Sequence, residues 1–225
     1  MTVVLKEAGF RLLCSNGQYL IVRPTDDHPL VEQIDGYTSE NAQKAIQRLE
    51  HIARWTVIAE LKSPATSSIK PDNVEMQILS EEGEELSQSK EIRLQYKYSD
   101  DQWHEPGFQL KLTNKSKKPL FFAVVDLGNL FEVYNSLEDV GCVRLESGQS
   151  TWVPIDKQTL YPTVPGDLWE QGITEYKDIL KLIVSTTEFD ARLMTQEQLD
   201  APRPPKRDLP SPNQSTLDRL AYNSP

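Results

Sequence analysis

Two cysteines, Cys14 and Cys142, and three histidines, His28, His51 and His104, are the residues whose types could support nucleophilic or metal chemistry. A cysteine hydrolase needs a thiolate activated by a nearby imidazole, with backbone donors for the oxyanion. Cys142 stands in Asp139-Val-Gly-Cys-Val-Arg144, which offers an acid, a glycine and a thiol in the manner of a caspase-type nucleophile. The segment reads instead as the edge of an interior strand. His28 precedes Pro29, His51 precedes Ile52 and His104 precedes Glu105, so no His-Gly pair marks a partner loop. Both thiols are therefore expected as small buried apolar side chains. A divergent cysteine hydrolase using Cys142 or Cys14 is the rival to that reading.

Oxygen and nitrogen ligands crowd together at Asp26-Asp27-His28 and at Asp100-Asp101-Gln-Trp-His104-Glu105. Neither has the helical His-Glu spacing of zinc proteases or the rhythm of a calcium loop, and polar turns collect such residues anyway. No metal or cofactor is expected; a small-ligand or metal site on the Trp103–Glu105 loop is the alternative. The run Glu81-Glu-Gly-Glu-Glu85 has nothing apolar around it to raise a carboxyl pKa and reads as a solvated hairpin tip. Ser147-Gly-Gln-Ser150 lacks the Gly-x-Ser-x-Gly elbow, and no Gly-rich phosphate cradle occurs. No catalytic residue is assigned. Of the four tryptophans, Trp55 and Trp152 read as core, whereas Trp103 and Trp169 lie in loop-like, proline-flanked stretches. With His104 they are the interaction candidates.

The elements that must position these residues alternate between strand and helix periods. Phe10–Cys14 and Gln18–Val22 flank Ser15-Asn16-Gly17, a hairpin signal because Asn-Gly supplies positive φ. Thr38 or Ser39 can cap a helix whose buried stripe is Ala42, Ala45, Ile46, Leu49, Ile52 and Ala53, with Trp55, Val57 and Ile58 continuing it or leading it into the core. From Val74 the period becomes two: Val74–Leu79, Ile92–Tyr98 and Phe108–Leu112 alternate as half-buried strands. Leu120–Val125 is apolar on both faces and predicts a central strand. Shorter strands are expected at Leu130–Tyr134, Cys142–Leu145, Thr151–Ile155 and Ile179–Val184, spaced as in a sandwich. After Leu199, Ala201-Pro-Arg-Pro-Pro-Lys-Arg207 and Pro210-Ser-Pro212 predict an extended tail. The expected fold class is mainly β: an antiparallel β-sandwich, Ig-like, at 72–195, an N-terminal hairpin plus helix at 1–63, and a disordered C-terminal tail at 200–225.

The 225-residue chain carries a formal charge of −10, which excludes a general affinity for nucleic acid and disfavours an anionic membrane surface. No apolar run approaches the roughly 18–20 residues that span a bilayer. Lys6 and Glu7 interrupt the apolar N-terminus, so it makes a poor signal peptide. Two cysteines are too few for a disulfide framework, and a cytoplasmic location follows as the expectation.

Two stretches carry a family resemblance. Leu110-Lys-Leu-Thr-Asn-Lys-Ser-Lys-Lys-Pro-Leu-Phe-Phe-Ala-Val-Val-Asp-Leu127, then Phe131–Tyr134 and Leu145-Glu-Ser-Gly-Gln149, resemble a bacterial β-sandwich domain that follows caspase-like peptidase domains. Glu175–Ser185 with Phe189-Asp190 looks like that domain's last strand, and Leu49–Trp55 is similar to a linker in cyanobacterial caspase-family proteins. The resemblance implies an accessory region without its peptidase: a non-catalytic, regulatory or protein-interaction module whose partner is a caspase-like protease. The peptidase's histidine and cysteine motifs have no counterpart here.

Overall fold

The structure is a computed structural model of the chain. It describes residues 9–25, 27–87, 91–156 and 158–203. Most of the expected tail, 204–225, and Asp26 lie outside the described residues.

Strands β1 (Arg11–Ser15) and β2 (Gln18–Val22) form the expected hairpin, with Asn16 at φ 50° and Gly17 at φ 77° closing it. A two-residue loop with both central residues at positive φ matches the natural twist of the flanking strands. The short β3 (Ile34–Asp35) extends this sheet beyond β2. Helix α1 (Ser39–Glu60) follows, its first turn held by Thr38, whose hydroxyl accepts from the Asn41 amide at 3.1 Å. Ala45, Ile52 and Ile58 are its buried positions. Ile46, expected in the buried stripe, is 53% exposed, and Ala53 is exposed as well. The hairpin and the β body meet only part of the helix circumference, so the buried stripe is narrower than the apolar one.

Strands β4 (Val74–Ser80), β5 (Lys97–Ser99), β6 (Gln102–His104), β7 (Phe108–Asn114), β8 (Leu120–Leu127), β9 (Val133–Asn135), β10 (Val143–Leu145), β11 (Ser150–Val153) and β12 (Ile179–Ser185) build the rest, with a short helix α2 (Gly166–Glu170) between the last two. The protein is mainly β, and every strand pairing among the described residues is antiparallel. One sheet has the order β11-β7-β4; in β7, Phe108, Leu110, Leu112 and Asn114 are buried in strict alternation. The other is centred on β8. Strand β12 pairs along one edge from Ile179↔Leu127 to Ser185↔Phe121. Strands β10 and β9 therefore share the other edge, β10 at residues 120–122 and β9 at 125–127. Burial of side chains on both of its faces accounts for the apolar run that made β8 the expected central strand.

Both sheets contribute to one apolar cluster, including Leu110, Leu112, Phe122, Val124, Val125 and Val153. A smaller cluster of Ile21, Val31, Ile52 and Phe131 joins the hairpin to the helix, and Trp55 packs against both clusters. Each fully buried side chain of this size is worth about 1.5–3 kcal/mol of transfer free energy. Asn114 is the fully buried polar exception. Its amide donates to the carbonyls of Lys118 and Leu145, both at 2.8 Å, and its carbonyl accepts from Ser116 N and Oγ at 2.9 and 2.7 Å. It fixes the turn that leads β7 into β8.

Several expected strands differ in their bounds: Leu130–Tyr134 is a strand only from Val133, and Thr151–Ile155 is a strand over Ser150–Val153. Ile92–Tyr98 is a strand only from Lys97; Ile92, Leu94 and Tyr96 are half-buried in alternation, but no described strand pairs with them. Cys142 precedes β10, which begins at Val143. The expected start of the tail is tied down as far as Arg203. Leu199 N donates to Leu130 O at 2.9 Å, and Glu32 N donates to Asp200 O at 2.9 Å. Arg203 reaches Gln33 O and Asp35 Oδ2 at 2.8 and 2.7 Å. This segment links the body back to the N-terminal sheet.

Candidate functional site

The sequence-selected residues fall in separate places. Cys14, expected to be buried, is exposed; it pairs with Tyr19 one step from the hairpin turn. Cys142 is half-buried. His51 Nε2 lies 3.0 Å from Phe131 O, and His104 Nε2 lies 3.2 Å from Ser99 O, so each ring is engaged by backbone. Among the described residues no group of three or more His, Cys, Asp or Glu side chains is placed to hold a metal ion. The Glu81–Glu85 run is an exposed turn, as expected.

Trp103 and His104, expected on a loop, belong to β6. Strands β5 and β6 form a hairpin that joins none of the other described sheets. Its turn is Asp100-Asp101 at φ 52° and 60°, a left-handed pair that Asp tolerates better than most residues. Tyr98 and Trp103 are direct cross-strand partners with ring centroids 5.2 Å apart in an edge-on arrangement. They remain 59% and 63% exposed. Trp169 lies on α2 and is 54% exposed, while its neighbour Leu168 is buried and anchors the helix. Trp55 and Trp152 are half-buried.

A second constellation escaped the sequence reading. Asp126 ends the apolar run of β8, directly opposite Tyr134 on β9 and Leu180 on β12. Glu132, one residue before β9, and Asp178, one residue before β12, lie beside them. Asp126, Glu132, Tyr134 and Asp178, with Gly128, Tyr176, Gln198 and the Pro162–Pro165 loop, line a cleft of about 250 Å³. Among the described residues no Lys, Arg or His lines it. Glu132 is only 6% exposed; its Oε1 accepts from the Tyr176 hydroxyl, and its Oε2 has no partner among the described residues. Asp126 Oδ1 is likewise buried without a partner there. Burial, then the Asp178 and Glu132 carboxylates, pushes Asp126 up to about 7. Burial and Glu132 push Asp178 up to about 6. Burial and the bond to Glu132 hold the Tyr176 phenol well above its ordinary range. The sequence held one signal: an acid inside a strand otherwise apolar on both faces. Its companions come from two other segments and were invisible without the register.

Compared with known proteins, the chain matches no family model, no curated protein and no solved structure. Among the described residues no helix is long and apolar enough to cross a membrane.

Proposed function

We propose that this chain is a non-catalytic protein-interaction module that contacts its partner through the β5–β6 hairpin. The observation that carries the reading is the Tyr98–Trp103 pair: two large aromatics, mutually packed yet more than half exposed, on a ribbon outside the other described sheets. Aromatics held rigid before binding lose little conformational entropy on docking, which makes them efficient anchors. The two-residue turn fixes the ribbon, and the Tyr98 ring fixes the indole. In this reading the body is an Ig-like antiparallel sandwich that serves as the rigid mount, supported by the apolar cluster to which β7 and β8 both contribute. The likeness of residues 110–149 to accessory domains of caspase-like proteins favours a caspase-like protease as the partner, with the chain acting as its regulatory or targeting subunit.

A photoreactive benzoylphenylalanine at position 103, with the same group at the exposed Ile46 of α1 as control, tests this in native cytosol. One discrete crosslinked protein from position 103, absent from position 46 and competed away by excess unlabelled chain but not by a Tyr98→Ala/Trp103→Ala chain, is the expected result. Equal, uncompeted labelling from both positions would refute it.

A further inference from the structure

We propose that the cleft between Asp126, Glu132 and Asp178 is a binding site for the head of an organic cation, a primary ammonium or a guanidinium on an alkyl stem. The site is independent of the aromatic hairpin. Its primary evidence is Glu132, more than nine-tenths buried, lining the cleft and holding one carboxylate oxygen with no partner among the described residues. A buried acceptor left unmade costs free energy that a positively charged donor would recover, because charge-assisted hydrogen bonds are the strong ones. Asp126 Oδ1 is a second such acceptor in the same cleft.

Shape and composition favour an organic cation over a metal ion. Among the described residues no three acidic or histidine side chains converge with metal-holding geometry. The cleft holds about 250 Å³, several times the roughly 30 Å³ share of one water, so a polyatomic head and part of a stem can enter. Its remaining walls suit a stem: Pro162 and Pro165 are apolar, and Tyr134 and Tyr176 offer ring surface for a cation. Among the described residues no Lys, Arg or His lining the cleft competes for the carboxylates. The Tyr176 hydroxyl donates to Glu132 Oε1, which holds the carboxylate in place and leaves Oε2 for the ligand.

The test is isothermal and NMR titration of the full chain at low salt and neutral pH. The probes are n-butylammonium, n-butylguanidinium, the neutral isostere n-butanol, calcium chloride and N-acetyl-lysine methylamide. Saturable binding of the butyl cations, with no binding of butanol, is expected. The Glu132→Gln chain should bind about tenfold more weakly or worse, since it removes a carboxylate from a poorly hydrated site, and the Asp178→Asn chain about threefold more weakly at low salt, its carboxylate being exposed to water. Asp178 lies at the exposed rim, so its variant keeps the test valid if the buried one misfolds. Binding of the lysine derivative no tighter than butylammonium identifies a free amine as the ligand, and tighter binding identifies a basic side chain of a peptide. Absence of saturable binding by both butyl cations overturns the proposal, as does calcium binding that displaces them and depends on the same carboxylates.

Discussion

Replacing Asp126 with asparagine should change how the stability of this protein depends on pH. In the folded chain its carboxyl is pushed up from 3.8 to about 7, first by burial and then by the Asp178 and Glu132 carboxylates. The folded state therefore binds a proton that the unfolded state has released, throughout the window from about pH 4 to pH 7. A raised carboxyl pKa contributes stability at low pH and loses it as the pH climbs through the folded value. At about 1.4 kcal/mol per pKa unit, the shift implies a loss of roughly 2.5 kcal/mol between about pH 5 and pH 8. Asp178, exposed at the rim and pushed up to about 6, acts in the same direction but is partly screened by water. An asparagine side chain is an isostere of the protonated acid and cannot ionise. The Asp126→Asn variant should match the native chain near about pH 3, where the acid is protonated in both states, and its advantage should grow by roughly 2.5 kcal/mol from about pH 5 to pH 8, most of it below about pH 7. Urea unfolding at half-unit pH steps, with ΔG from linear extrapolation, measures the gap directly. Two stability curves that stay parallel from about pH 5 to pH 8 would show that Asp126 ionises as an ordinary surface acid, and the electrostatic account of the cleft would fail.

Two further outcomes follow from neighbouring geometry. Asn114→Leu removes four hydrogen bonds, two to backbone carbonyls and two from Ser116, at a fully buried site. It should cost about 3–4 kcal/mol in chemical denaturation; a loss under about 1 kcal/mol would mean that water replaces the amide. Gly128→Ala drives a Cβ into Glu132 Oε1, nearer than any contact allows. If the Glu132 carboxylate is displaced from its place beside Asp126, the Asp126 carboxyl should titrate closer to its ordinary value in carbon-detected NMR. An unchanged midpoint would show that the carboxylate stays and the backbone yields instead.

The elements of this protein were legible in its sequence to different degrees, and the reason is range. The Asn16-Gly17 hairpin, the Thr38-capped helix and the alternation in Phe108–Asn114 each depend on residues a few positions apart, which local sterics and the periods of 3.6 and 2 decide. The apolar run of β8 announced a central strand because a strand buried on both faces has almost no wet face to encode. Local pattern failed where burial depends on a distant partner. Ile46 matches the helical stripe but is exposed, because the hairpin and the body cover another part of the helix. Residues 92–96 alternate as a strand does but find no described strand to pair with. Cys14 is apolar by type yet is exposed near the tip of the hairpin. The exposed aromatic pair was half legible: Trp103 stood out by type, but its role as the cross-strand partner of Tyr98 emerges only from the register. The acidic cleft was the least legible. Asp126, Glu132 and Asp178 come from three separate segments, and only antiparallel pairing of β8 with both β9 and β12 brings them to one face. Sequence by itself determined the class of most elements along the chain. Tertiary structure alone decided which carboxylates would share a cleft, because strand register is set by the packing of the whole sheet.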